Sequence, residues 1–169
     1  ERDRAQNPYY DLKSTTASQV YKGIVSETAS THEAVNRTQG QVLTYQGKVI
    51  LAAFHSSSGG YTENVEDVWT RPLPYLRSVV DYDQTAPVYQ WQKALSGREI
   101  GYRLGVGTVR SLIPQQATPQ GRIIRLKVVG DRGTKTISGK AFRSALDLRS
   151  TLFQVRGTSH RFIISGRGF

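Results

Sequence analysis

Apolar and polar residues alternate along much of this chain in short runs, a pattern typical of β-strands that bury one face. The run over 88–95 is the clearest example, because Tyr89, Trp91 and Leu95 share one side of it. Glycines and prolines between the runs mark turns. Strands are predicted over 19–23, 75–80, 88–95, 109–114, 122–129, 134–137, 151–155 and 161–164.

A hairpin is predicted over 41–54. The apolar segments 42–45 and 48–54 flank Gln46-Gly47. Glycine adopts a positive φ at little cost, which a two-residue hairpin turn requires. The second strand of this hairpin would lead directly into His55.

Short helices are predicted where a hydroxyl residue precedes a helical pattern, since its side-chain oxygen accepts a free N–H group of the first turn. Such helices among mainly antiparallel strands predict the α+β fold class. The predicted helices are 30–38, capped by Ser30 or Thr31; 98–104, capped by Ser96; and 140–146, capped by Ser138.

The densest group of chemically versatile residues follows the hairpin. His55 stands before Ser56, Ser57 and Ser58, and two glycines then turn the chain. Hydroxyls and backbone N–H groups in such a turn suit a polar ligand such as a sugar. The alternative is structural: the serines bond their own backbone and the histidine caps a strand end.

Carboxylates come next along the chain. Glu63 and Glu66 are candidates for the general acid that cleavage of a glycan needs. The alternative is a polar loop in which these carboxylates pair with arginines. Their spacing from His55 matches no strong metal motif, and the chain has no cysteine, so we predict no metal site and no cofactor.

The chain is strongly basic. Its 23 Lys and Arg against 13 Asp and Glu give a formal charge of +10, which attracts anionic polymers. The basic residues are scattered rather than grouped in a block, so charge is the sole argument for a nucleic-acid partner and we do not predict one. No apolar run reaches the roughly 18–20 residues of a membrane span.

Several of these residues together resemble the SpoIID/LytB family, the stage II sporulation protein D and amidase-enhancer proteins of bacterial cell walls. The hairpin followed by His-Ser-Ser-Ser-Gly-Gly is the most specific part of the resemblance. The matching residues are Tyr21, Gly23 and Glu27, the segments 34–35, 40–47, 53–63, 66–69 and 74–76, and Ser138-Gly139 with Phe142-Arg143.

The resemblance implies a peptidoglycan lytic transglycosylase, which cleaves glycan strands after N-acetylmuramic acid and leaves a 1,6-anhydro end. One glutamate acts as general acid and base in that reaction. The alternative that the resemblance implies is a non-catalytic wall-binding module that enhances an amidase. Either places the protein in the cell envelope, with glycan strands as ligand and an amidase or another wall-remodelling protein as partner.

The family's catalytic glutamate lies in a Glu-Met-Pro-like segment, and this sequence contains none. We therefore expect residues 1–169 to be the central part of one domain, truncated at both ends, with Glu63 and Glu66 as second-choice carboxylates. The resemblance implies that the remaining candidates bind the substrate. The predicted substrate-binding residues are His55, Ser56, Ser57, Ser58, Tyr61 and Glu63.

Overall fold

The structure, a computed structural model, describes residues 8–9, 22–69 and 71–169. The chain divides into two compact units, Glu1–Ala53 and Phe54–Phe169. Most of the strand predicted over 19–23 lies outside the described residues, and Lys22 and Gly23 are not in a strand. Every described helix is too short or too polar to cross a lipid bilayer.

The first unit contains a 3₁₀ turn (Ile24–Ser26), one helix and one hairpin. Helix α1 (Ala29–Arg37) is capped by Thr28, so the prediction of Ser30 or Thr31 as cap is wrong. Thr31 instead occupies the third helical position, where its hydroxyl accepts the Thr28 N–H at 2.9 Å. This reciprocal bonding of two hydroxyls is a capping box, and it starts the helix at Ala29, one residue before the predicted start.

The predicted hairpin is present but short. Strands β1 (Thr44–Tyr45) and β2 (Lys48–Val49) pair around Gln46 and Gly47, both at positive φ. The described side chains of both strands are exposed, so no buried face extends the pairing toward Phe54.

The second unit contains the remaining elements. They are α2 (Val65–Val68), β3 (Gln90–Leu95), α3 (Gly97–Leu104), β4 (Val109–Ala117), β5 (Ile123–Gly130), β6 (Gly133–Ser138), α4 (Gly139–Leu146), β7 (Phe153–Thr158) and β8 (Arg161–Arg167). Two antiparallel sheets result, with strand orders β3-β8-β7 and β4-β5-β6. The predicted α+β fold class is thereby confirmed.

One hydrophobic core joins both sheets to α3 and α4. Ile100, Leu126, Phe142 and Ile164 come from four different elements, and each is fully buried. The Phe142 ring stacks on Phe153 with 5.5 Å between ring centroids. Apolar burial of this kind supplies most of the stabilisation of a small domain.

Local signals located most elements of this unit. Ser96 and Ser138 cap α3 and α4 as predicted, and the Ser96 cap is reinforced by Glu99. The alternation over 88–95 places Leu95 in the core and Gln90 and Gln92 outside. Both predicted strand pairs, β5 with β6 and β7 with β8, are also present.

Two of the predicted strands differ most from the structure. Residues 75–80 form no strand, because Val80 makes only an isolated bridge to Tyr61. Strand β4 continues through the predicted loop to Ala117, since β5 offers it a full-length partner. Irregularities in the register after Pro114 accommodate the proline there, which has no N–H to donate.

Close packing of α3 makes a specific prediction about Gly101. A Cβ at this position would lie 1.4 Å from the carbonyl oxygen of Gly107. We expect Gly101→Ala to lower the free energy of unfolding by at least about 2 kcal/mol despite alanine's better helix propensity. Urea unfolding measures this. Tyr102→Ala, on the same helix but 90% exposed, is the control, and equal stability of both variants would contradict the packing.

Candidate functional site

The loop 54–60, called the serine loop below, wraps around the carboxylate of Asp83. The Ser57 hydroxyl donates to Asp83 Oδ2 at 2.5 Å, and the Gly59 N–H donates to the same oxygen at 3.0 Å. The Gly60 N–H donates to Ser58 Oγ at 3.2 Å. Ser57 and Ser58 are each only 3% exposed, so their hydroxyls support the loop from its buried side.

Two opposing effects set the ionisation of Asp83. Burial raises the pKa of its carboxyl group, but hydrogen bonds from the Ser57 hydroxyl and from the Gly59 backbone outweigh burial. Its pKa therefore lies below the usual value, because donated hydrogen bonds favour the charged form. Asp83 is thus an anchor that stays ionised at neutral pH.

The glycines of the serine loop permit close contact with strand β8 and the residues after it. Gly59 adopts a φ of +83°, and a Cβ there would lie 2.9 Å from Cβ of Arg167. The Ser57 carbonyl accepts the N–H of Phe169 at 2.9 Å. The end of β8 and the serine loop consequently form one packed piece.

A buried ion pair supports the loop from a second side. Arg122 Nε lies 3.2 Å from Glu63 Oε1, and the two side chains are 15% and 5% exposed. The Thr118 hydroxyl donates to the same Glu63 oxygen at 2.9 Å. Arg122 Nη2 also donates to the Ser58 carbonyl at 2.5 Å, which ties the pair to the serine loop.

Burial dominates the ionisation of this pair. It raises the pKa of Glu63, although the hydrogen bond from Thr118 and the charge of Arg122 act in the opposite direction. It also lowers the pKa of Arg122 against the attraction of Glu63 and Asp83. Among the described residues, Glu63 Oε2 and Asp83 Oδ1 are buried and have no hydrogen-bond partner.

Glu66 has a different environment from Glu63. Its carboxylate is at the surface and accepts two hydrogen bonds from the Arg77 guanidinium, at 2.6 and 2.5 Å. The hydrogen bonds from Arg77 hold the pKa of Glu66 below its usual value. This carboxylate therefore stays ionised and committed to a bidentate pair.

The outer side of the site carries the accessible candidates. His55 Nε2 lies 3.2 Å from Asp81 Oδ2, and the histidine side chain is 43% exposed. Ser56 is exposed, and Tyr61 is 47% exposed. The structure therefore divides the predicted substrate-binding residues: His55, Ser56 and Tyr61 face solvent, whereas Ser57, Ser58 and the Glu63 side chain are buried.

Sequence patterns did not indicate Asp83, Thr118 or Arg122. Each lies in a turn or next to one, where an isolated polar residue carries no distinctive signal. Within the described ranges, no three His, Asp or Glu side chains come together as a metal-binding group.

Comparison with known proteins matches two parts of the chain to family models. Residues 1–45 match "Stage II sporulation protein", and residues 81–169 match "Domain of unknown function (DUF8618)". The second match contains Asp83, Thr118 and Arg122, and the serine loop lies between the two matched segments.

Curated relatives extend over most of the chain. Stage II sporulation protein D of Bacillus subtilis is 35% identical over 81% of this chain and 40% of its own length. An uncharacterized protein of Brachyspira hyodysenteriae is 30% identical over 94% of this chain and 44% of its own length. The amidase enhancer of Bacillus subtilis is 43% identical over 51% of this chain and 12% of its own length. The chain thus spans less than half the length of these relatives.

Asp83 should make the stability of the wild-type protein depend on pH, and its replacement by Asn should remove that dependence. Because folding lowers the pKa of Asp83, its ionised form stabilises the fold above the unfolded pKa of 3.8, and this is lost as pH falls through the folded pKa. We expect Asp83→Asn to lower the free energy of unfolding by about 1–3 kcal/mol at neutral pH. The difference in free energy of unfolding between wild type and Asp83→Asn should become smaller below about pH 4.

Urea unfolding between neutral pH and about pH 3 tests this expectation. Asp147→Asn is the matched control, because the Asp147 side chain is 93% exposed. A difference between wild type and Asp83→Asn that stays constant across this pH range would contradict the assignment.

Removal of Arg122 should be costly, because it leaves the Glu63 carboxylate buried without a cation. We expect Arg122→Met to lower the free energy of unfolding by about 3–5 kcal/mol. Adding Glu63→Gln should recover part of that loss. Thermal and urea unfolding measure both effects, with Arg125→Met as the control at an exposed arginine of β5. A double variant no more stable than Arg122→Met would argue against the pairing.

Proposed function

The chain belongs to the SpoIID/LytB family of stage II sporulation proteins and amidase enhancers, and on that premise we propose that it acts on peptidoglycan in the bacterial cell envelope. The names of its relatives associate the family with sporulation and with amidase activity at the wall. This chain spans about 40% of the length of the sporulation proteins among these relatives. Its role here is to bind glycan.

One observation carries this proposal. The inner side of the serine loop is held by hydrogen bonds, and its outer side is polar and exposed. Asp83 holds Ser57 and Gly59, while the His55–Asp81 pair, Ser56 and Tyr61 remain accessible. Groups fixed before the ligand arrives cost little entropy on binding. Imidazole, hydroxyl and phenol groups offer both donors and acceptors, which suits the hydroxyl and acetamido groups of a sugar.

The reaction we propose is lytic transglycosylation of the SpoIID type. A general acid protonates the leaving glycosidic oxygen, then as base activates the sugar's own 6-hydroxyl. Glu66 is committed to Arg77 and the Glu63 side chain is 5% exposed. We therefore assign the acid to the family's Glu-Met-Pro-like segment, which residues 1–169 do not contain, and Ser57, Ser58 and Glu63 to support of the binding surface.

The basic surface assists approach to the wall. With a formal charge of +10, the chain is attracted to anionic wall polymers over distances up to about the Debye length. This attraction is not specific for sugar and should weaken as salt is raised. It brings the serine loop to its ligand but does not select that ligand.

The second candidate function is enhancement of an amidase without catalysis by this protein. Similarity to the amidase enhancer over 86 residues favours it. The two functions differ in their products, because only a transglycosylase creates anhydro-muramyl ends on purified glycan. If the protein stimulates a wall amidase but forms no anhydro-muramyl products, the second function is favoured.

Binding to the wall tests the serine loop directly. We expect the 169-residue chain to co-sediment with purified peptidoglycan at physiological salt. His55→Ala combined with Tyr61→Ala should weaken this binding about tenfold, through loss of hydrogen bonds and aromatic contact.

His160→Ala, at the exposed turn between β7 and β8, is the control. Muropeptide analysis of the same samples should reveal no cleavage by the chain alone. Anhydro-muramyl products in these samples would return the acid role to Glu63 or Glu66. Failure of the folded chain to bind peptidoglycan would sink the proposed function.

A further inference from the structure

A groove of about 750 Å³ lies over the sheet β3-β8-β7, apart from the accessible side of the serine loop. Its volume falls in the range of ligand-binding clefts, which is about 300–1,000 Å³. Neither the sequence patterns nor the family resemblance pointed to it. The polar side chains that line it are Gln90, Gln92, Gln120, Gln154, Ser165 and Arg167.

Strand register places these polar groups in transverse rows. Gln92 pairs with Ser165 on β8, and Ser165 pairs with Gln154 on β7. Gln90 pairs with Arg167 in the next row on the same face, since alternate residues of a strand point the same way. The row from Gln92 to Gln154 spans two strand spacings, about 10 Å, enough to follow more than one sugar ring.

The amides in these rows have unused hydrogen-bonding capacity. Gln92 Nε2 donates to Ser165 Oγ at 3.1 Å, which leaves its second N–H and its carbonyl oxygen facing the groove. Gln90, Gln92 and Gln154 are all exposed. A primary amide donates and accepts at once, as do the hydroxyl and acetamido groups of an N-acetylated sugar.

The floor and wall of the groove are rigid. Gly166 has no side chain, and a Cβ there would lie 2.2 Å from the Trp91 ring. Trp91 is fixed by its indole N–H, which donates to the Gly168 carbonyl at 3.1 Å. Gln120 lies in the turn that Thr118 closes, and Thr118 is bonded to buried Glu63. The backbone that carries the polar groups of the groove is thus held by packing and hydrogen bonds.

Charge distinguishes this groove from the rest of the surface. Its described lining contains no carboxylate, and Arg167 is its one charged side chain. A neutral, amide-rich groove on a protein of charge +10 favours a neutral ligand over an acidic polymer. The single guanidinium suits an occasional carboxylate, such as the lactyl or peptide acid group carried by a wall glycan.

We infer that this groove is a second glycan-binding site, which holds a segment of N-acetylated glycan strand along the face of β3, β8 and β7. The inference rests on the proposed function, because it takes peptidoglycan glycan as the ligand. The groove and the serine loop share Arg167, whose Cβ packs at Gly59.

Binding of peptide-free glycan strands to the 169-residue chain tests the inference. Gln92→Ala with Gln154→Ala should weaken binding about tenfold, since each lost amide removes at least one hydrogen bond. Ser165→Trp, which fills the middle of the groove, should weaken it at least as much. Gln115→Ala with Gln116→Ala, two exposed glutamines outside the groove, is the matched control. Urea unfolding verifies that all variants remain folded.

Salt and ligand choice separate the outcomes. Groove binding should persist at about 1 M salt, where the Debye length is about 3 Å and surface charge attraction is screened. Wild-type binding that the groove variants leave unchanged would overturn the inference and leave the proposed function intact. Binding to teichoic acid but not to glycan would overturn it as well. A wild-type chain that binds neither intact peptidoglycan nor glycan strands would overturn both.

Discussion

The buried pair of Arg122 and Glu63 is the interaction on which the rest of the site depends. A guanidinium removed from water costs several kcal/mol unless it is paired and hydrogen-bonded. Arg122 is satisfied by Glu63 and by the Ser58 carbonyl. Each partner comes from a different part of the second unit, so the pair fixes the serine loop, the segment after it and the turn before β5 together.

The proposed function rests on the contrast between the two sides of this arrangement. Behind the serine loop, buried charges and hydroxyls leave few alternative conformations. In front, His55, Ser56 and Tyr61 keep their polar groups available. The groove over β3-β8-β7 is supported in the same way. Trp91 lies beneath its floor, and the turn that Thr118 closes forms its wall. These accessible neutral polar groups are the basis of our proposal of a carbohydrate ligand.

Local sequence signals were sufficient for elements whose stability is itself local. Ser96 with Glu99 specified the start of α3, since a capping box needs only residues three apart. Local signals were insufficient where a partner far along the chain decides whether a strand forms. Strand β4 extends past Pro114 because β5 pairs with it, and residues 75–80 lack a partner long enough to form a strand. At α1 the predicted cap, Ser30 or Thr31, is wrong, because Thr28 caps the helix and bonds reciprocally with Thr31.

The sequence by itself determined the fold class, most of the periodic strands and the caps of α3 and α4, because each depends on residue types at short spacing. Only the tertiary structure decided which groups of the His-Ser-Ser-Ser-Gly-Gly stretch are exposed and which are buried. Ser57 and Ser58 turn inward to Asp83, and Glu63 turns inward to Arg122. Their partners lie far along the chain, and strand packing rather than local propensity sets which charges become buried. The groove arises in the same way, since strand register brings its glutamines together.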